Sequence, residues 1–245
     1  MARDFDGVND KIVLGTTQSF WNFMHNTTAK FSLIVWAKLN ATDPDDLQLI
    51  FGDTNVSSAN TGVLMGFDDR SSVPRDHTLI LAITNGTGGQ AILNFQITPD
   101  SFFPKDLLWH CIVWTYDQSL SSDNSKVTMD GNTGSKDLGS KTAFTPNNGD
   151  STNAMHIGET GSGSFDADMQ IAYVAILNSI ITDNQIKAVA NGVNPFALNI
   201  DKAYYPLHGN QDPEPNYVDQ VHTGIVTGAT KAATNPPVEL LENYL

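Results

Sequence analysis

Residues 31–39 read Phe-Ser-Leu-Ile-Val-Trp-Ala-Lys-Leu, and this run does most to set the class of the fold. β-branched and aromatic side chains dominate it, and such residues suit a pleated, half-buried surface. Eleven further runs of similar character follow the same logic: 11–14, 47–51, 62–67, 78–84, 91–97, 109–116, 126–129, 155–158, 169–177, 204–207 and 224–226. Turn residues stop them, among them Gly15, the pair Gly52-Asp53 and the hairpin pair Asp130-Gly131. Only two segments predict helix. Thr182-Asp183-Asn184-Gln185 is a capping box, followed by Ile186, Val189 and Ala190 on one helical face and by Gly192 as a stop. The other is 238–245, after Pro236-Pro237. There is no internal repeat and no interdomain linker. The expectation is a single sandwich over 1–237 with a C-terminal tail over 238–245.

Composition narrows the function classes. The formal net charge is −14, from 27 acidic against 13 basic residues, with no Lys/Arg run. Phosphate binding needs clustered cations, so nucleic acid is excluded as a partner and an anionic membrane surface is disfavoured. No stretch is apolar and long enough to insert in a bilayer, and the first residues lack the apolar core of a secretion signal. The N-x-S/T triplets at Asn26, Asn40, Asn55 and Asn85 then read as products of an Asn/Thr-rich composition. Cys111 is the one cysteine; it alternates with Trp109 and Val113 and reads as a buried thiol.

Several phrases, in order, resemble the laminin-G-like domains of the concanavalin-A-like superfamily. They are Phe5-Asp6-Gly7-Val8-Asn9-Asp10, the Trp36-bearing strand, Trp109-His110 through Thr115-Tyr116-Asp117, Val127-Thr128-Met129-Asp130-Gly131, and His156-Ile157-Gly158 with 165–177 and the capped helix. The resemblance implies an all-β fold: a two-sheet antiparallel jelly-roll β-sandwich with one short helix. The stretch from Tyr204 to Gly209 and the Asn235-Pro236-Pro237 ending resemble single-domain versions found in phage and environmental sequences.

The superfamily also contains glucanases, which place two Glu around an Asp on one strand. This chain has four Glu, at 159, 214, 239 and 242, and none lies in a confident strand. Asp166 and Asp168, two apart, would sit roughly 7 Å apart on a strand, a spacing open to an inverting pair but also to a structural or metal site. No nucleophile elbow and no zinc-type histidine spacing is present. Calcium is the cofactor the resemblance implies, with Asp53, Asp166 and Asp168 as ligands; the other reading makes these residues turn formers. Trp36 and Trp114 are assigned to one face, with Ile34 and Ile112 and opposite Val35 and Val113; if that face is a concave groove they are candidate sugar platforms, and core residues otherwise. Asp69, Arg70, Arg75 and His77 belong to a mixed-charge loop that could recognise a ligand. Trp21 either covers the sandwich edge or is exposed as a partner contact. Leu240, Leu241, Tyr244 and Leu245 fall on one helical face of the tail, which either docks on its own sandwich or anchors the module to another subunit.

Two functions follow. One is a non-catalytic lectin-like binding or structural module on a virion surface, a capsid decoration or fibre-type protein. Its partners would be other virion or surface subunits, copies of itself, or a cell-surface glycan. The alternative is a secreted carbohydrate-active enzyme or a detached carbohydrate-binding module.

Overall fold

A computed structural model describes residues 2–15, 18–42, 46–54, 60–69, 78–86, 90–95, 105–136, 146–151, 153–160 and 165–238, with backbone alone at 90–95 and 133–136. Among the described residues, fifteen strands follow in chain order. They are β1 (Arg3–Asp6), β2 (Lys11–Leu14), β3 (Lys30–Leu39), β4 (Leu47–Gly52), β5 (Thr61–Asp68), β6 (Thr78–Asn85), β7 (Gln90–Phe95) and β8 (His110–Asp117). Then come β9 (Ser125–Met129), β10 (Asn132–Lys136), β11 (His156–Ile157), β12 (Asp168–Leu177), β13 (Ala203–Tyr205), β14 (Gly224–Thr227) and β15 (Thr230–Lys231). One sheet runs β10-β9-β8-β3-β12-β1-β15, with β13 also on β12; the other runs β14-β2-β11-β4-β5-β6-β7. The named pairings are antiparallel, as many short strands joined by turns require. The architecture is a β-sandwich of the jelly-roll kind with one short α-helix. No helix among the described residues is long and apolar enough to cross a membrane.

Strand alternation builds the core. Leu33, Val35 and Ala37 of β3, Ile112, Trp114 and Tyr116 of β8, and Val63, Met65 and Phe67 of β5 meet between the sheets. Residues of opposite parity on the first sheet are buried too: Ile34, Trp36, Cys111, Val113, Ala172 and Ala175 form a second apolar layer. Helix α1 (Asp183–Ala190) lays Ile186 and Val189 on that outer face. Burial on both faces explains why β3 reads as a nearly continuous apolar run, without clean alternation.

The capping box forms as the sequence indicates: the Gln185 amide donates to Thr182 Oγ1 at 3.3 Å, and the Thr182 amide donates to Gln185 Oε1 at 2.8 Å. β12 carries a bulge between Ala172 and Ala175, with Tyr173 at φ 51°. The bulge divides one strand edge between two partners, β1 at 168–171 and β13 at 174–176. Two 3-10 helices were not legible beforehand: Gln18–Met24, which caps the end of the sandwich, and Pro195–Leu198.

The segment after α1 stitches the sheets together. β13 joins the first sheet, β14 the second and β15 the first again. Glu214 pairs by backbone with Gly224 of β14, and its Oε1 accepts from Arg3 Nε of β1 at 2.7 Å. Both side chains are buried, and Arg3 also donates to the carbonyls of Ala229 and Gln211. Removing one member strands the other charge in the interior, a loss of about 3–5 kcal/mol. Arg3→Met and Glu214→Gln should each lower the urea midpoint accordingly. The Arg3→Met/Glu214→Gln double variant should lose less than the two single losses added together, and strict additivity would show that the pair is not coupled.

Candidate functional site

Antiparallel register aligns two polar rows on the outer face of the first sheet. Lys30 of β3 faces Asp117 of β8, whose amide donates to the Asn124 carbonyl beside β9; one pleat further in, Ser32 faces Thr115, which faces Lys126. These positions have the parity of Ile34 and Val113, so they continue the face that α1 covers. The helix and its approach cover the apolar rows and stop at the polar ones. Ser32 fixes that edge: its hydroxyl donates to the Ser179 carbonyl at 2.7 Å and accepts from the Ile181 amide at 3.0 Å. A cavity of about 360 Å³ remains, lined by Lys30, Thr115, Asp117, Leu120, Asp123, Asn124, Lys126 and Ile180.

Each lysine of the cavity has its own carboxylate. Lys30 Nζ lies 3.0 Å from Asp117 Oδ2, and Lys126 pairs closely with Asp183 at the start of α1, outside the cavity. Burial acts to raise the Asp117 carboxyl, but the Ser119 hydroxyl and amide and Lys30 outweigh it and hold it below its ordinary value. Asp183 is likewise held low, chiefly by the hydrogen bond from Lys126. Leu120 is 46% and Ile180 37% exposed, so aliphatic surface flanks the polar floor. The site offers donors and acceptors at close spacing beside an apolar wall. Cys111 lies away from it, buried, and burial pushes its thiol far up.

The sequence-derived candidates are placed differently. Trp36 and Trp114 are both buried and lie on opposite faces, so they form no shared platform: Trp36 packs in the layer under α1, and Trp114 sits between the sheets with Nε1 donating to Ser125 Oγ at 2.9 Å. Trp21 is also buried, edge-on to Phe20 and Phe51, which corrects its reading as an exposed partner contact. Asp69 is buried, its amide bonded to the Asp46 carbonyl at 3.0 Å. Arg70, Arg75 and His77 lie outside the described residues, as do Leu240, Leu241, Tyr244 and Leu245.

The expected calcium ligands do not converge. The Asp168 amide bonds Gln48 near one end of β4, whereas Asp53 follows Gly52 at the other end. Five residues of strand separate these points, roughly 16 Å. Asp166 feels the charges of Glu159, Asp46 and Asp6, and Asp168 is held by the Asn40 amide at 3.0 Å, which also binds Asp4. That end is an acidic seam tied by side-chain amides. Among the described residues no group of three acidic, histidine or cysteine side chains is gathered as a metal site requires. The three aspartates therefore do not fit one calcium ion.

The functional residues that sequence reading missed are those of the cavity. Residues 119–125 read only as a polar loop tip, and the signal that could have found the site was the pairing of Lys30 with Asp117.

No protein-family model and no curated protein sequence matches the chain. Among solved structures, a proposed carbohydrate-binding protein from Bacteroides ovatus is 16% identical, with a TM-score of 0.60; the match covers 97% of this chain and 61% of that one. The binding domain of botulinum neurotoxin DC, solved in complex with SialylT, is 14% identical with a TM-score of 0.51, covering 74% of this chain and 39% of that one. Mouse laminin alpha1 domains LG4-5 align at 12% identity and a TM-score of 0.47, over 75% of this chain and 43% of that one. The chain shares the two-sheet β-sandwich fold of the Bacteroides protein and of the neurotoxin binding domain. At these identities the likeness establishes the fold alone, and the chain spans about three fifths of the Bacteroides protein.

Asp53 gives a pH test of the local packing. It is fully buried, and burial raises its carboxyl from 3.8 to about 7; the Val63 amide, 2.7 Å from Oδ1, and the Ser151 hydroxyl offset this only in part. A Cβ on Gly62, whose φ is +150°, would lie 2.0 Å from that Oδ1, so the close approach needs glycine. A raised acid binds more protons folded than unfolded, so stability falls as pH climbs from about 4 to about 7, with the full penalty present above that. Asp53→Asn should therefore melt with the wild type near pH 4 and well above it at pH 8, by an amount on the order of a few kcal/mol. Equal melting temperatures of the two proteins at pH 8 would contradict this.

Proposed function

We propose that this chain is a non-catalytic, lectin-like module that binds saccharide in the cavity between Lys30, Asp117, Asn124, Lys126, Leu120 and Ile180. The observation that carries the reading is the lining itself. A sugar ring presents hydroxyls that both donate and accept, together with a face of C–H groups. The cavity presents carboxylates, a side-chain amide, ammonium groups and a hydroxyl beside two exposed aliphatic side chains. Its volume is at the small end of the ~300–1,000 Å³ usual for ligand pockets, which suits one or two sugar rings. The proposed carbohydrate-binding function of the Bacteroides protein, with its likeness over nearly the whole of this chain, supports the same reading.

The finer reading places the module on a virion surface, as a decoration or fibre-type protein. Its support is the resemblance of the 204–209 and 235–237 stretches to phage versions, together with an acidic surface suited to solubility. Mass spectrometry of purified particles would find the chain at stoichiometric copy number if this holds.

A glycan array followed by titration calorimetry tests the binding. Ile180→Asp and Leu120→Asp replace exposed residues, so the fold should survive, and each should weaken binding by about tenfold through loss of the apolar wall. Unchanged affinity in both variants would move the site elsewhere. Incubation with β-glucans, agars and alginate should release no reducing ends. Turnover abolished by Asp166→Asn or Asp168→Asn would replace the binding module with an enzyme.

A further inference from the structure

We infer that the cavity selects neutral saccharides and discriminates against uronic and other acidic sugars, because neither of its lysines is left uncompensated. The inference rests on the proposed saccharide reading and names the ligand class of that site.

The cavity lining contains two cations, Lys30 and Lys126, and two aspartates, Asp117 and Asp123. Lys30 is committed to Asp117 at 3.0 Å, and Lys126 to Asp183 across the cavity edge. With Asp183 counted, three carboxylates face two ammonium groups, so a carboxylate on the ligand meets no unpaired cation. Both partner acids are held low by their local contacts, so these compensating charges stay in place through the neutral range. The surrounding field works in the same direction, since the whole chain carries a formal charge of −14. A neutral polyol loses nothing by this arrangement. Each ammonium keeps N–H groups beyond the one its partner takes, and the carboxylates keep acceptor capacity, so hydroxyls can bond to both. The ion pairs then act as fixed hydrogen-bonding walls and not as charge receptors.

The partition between paired and free lysine makes the inference testable by gain of binding. Asp183 lies outside the cavity with its side chain 71% exposed. Asp183→Asn releases Lys126 at small cost to the helix, because a single exposed first-turn acid contributes little to helix stability. Melting curves confirm the fold. The probes are neutral gluco-, manno- and galacto-oligosaccharides and the corresponding uronate oligosaccharides, titrated at low ionic strength. The wild type should bind at least one neutral probe and bind its uronate counterpart about tenfold or more weakly. Asp183→Asn should bind the uronate about three- to fivefold more tightly than the wild type does, in keeping with the worth of one exposed ion pair, with neutral affinity unchanged. That gain should shrink in high salt and vanish in Asp183→Asn/Lys126→Met. Wild-type binding of the uronate as tight as that of the neutral sugar, or a neutral-to-acidic ratio unmoved by Asp183→Asn, overturns the inference and leaves the saccharide reading standing. Failure of every neutral and acidic probe overturns both.

Discussion

The first sheet has to bury both of its faces, and most of the molecule answers that constraint. β3, β8 and β12 carry apolar side chains on both sides, so packing against the second sheet covers only half of their surface. The rest would remain as a large exposed apolar patch, which soluble chains seldom tolerate. Helix α1 and the 3-10 helix at Pro195–Leu198 cover it, and Tyr204 of β13 completes the layer. The helix is short, and its own propensity would not sustain it in water. Its capping box and the burial of Ile186 and Val189 do, so local sequence and tertiary packing support the same element.

The cavity arises from the same constraint. Where the outer face turns from Ile34 and Val113 to Ser32, Thr115, Lys30 and Asp117, there is no apolar surface left to bury. Cover there would have to desolvate two ion pairs, whose charges are better left in contact with water. The covering chain stops at Ser179–Ile181, pinned by the Ser32 hydroxyl, and the polar rows stay open beyond it. The cavity is thus the place where the covering layer ends. Its polar side chains stand on a three-stranded, hydrogen-bonded floor, which favours fixed geometry and lowers the ordering cost of binding.

The strands and the helix were legible because their signals are local: β-branched runs, Asp-Gly and Gly-Asp turns, and the Thr182/Gln185 spacing. The faces were not. A one-residue difference in register moves every side chain to the opposite face, and register is a non-local property. The pairing sets residues of opposite number parity against each other, Lys30 with Asp117 and Leu33 with Trp114. That relation alone sends Trp36 outward and Trp114 inward, and the same relation brings the lysine and the aspartate together. The misplaced face of Trp36 and Trp114 and the missed cavity therefore have one cause. The aspartates misled for another reason. Asp is equally at home in a turn, beside an amide and at a metal, and a sequence does not distinguish them. In the fold, Asp53 sits on the Val63 amide while Asp168 takes the Asn40 amide.

The C-terminal stitching has a consequence for how the site is held. β1 lies between β12 and β15, and β14 forms the edge of the opposite sheet beyond β2. That edge carries further cover of its own: Glu214 pairs with Gly224, and Asp212 accepts from the Val226 amide at 3.2 Å. A closed edge is protected from pairing with other chains, and here the closure is made by the loop that supplies Glu214 to Arg3. The clamp therefore fixes β1 to both sheets at once. β1 in turn supports β12, and β12 pairs with β3, the strand that carries Lys30. Loosening of the clamp would reach the cavity through those two strand pairings, β1 with β12 and β12 with β3. The cavity lies on the far side of β3, bounded by β8 and β9, and Ile180 in the segment leading into α1 lines its other side. Its geometry should accordingly be less sensitive than global stability to damage at Arg3 or Glu214, because the strands that form the floor keep their own pairings while the edge strand frays.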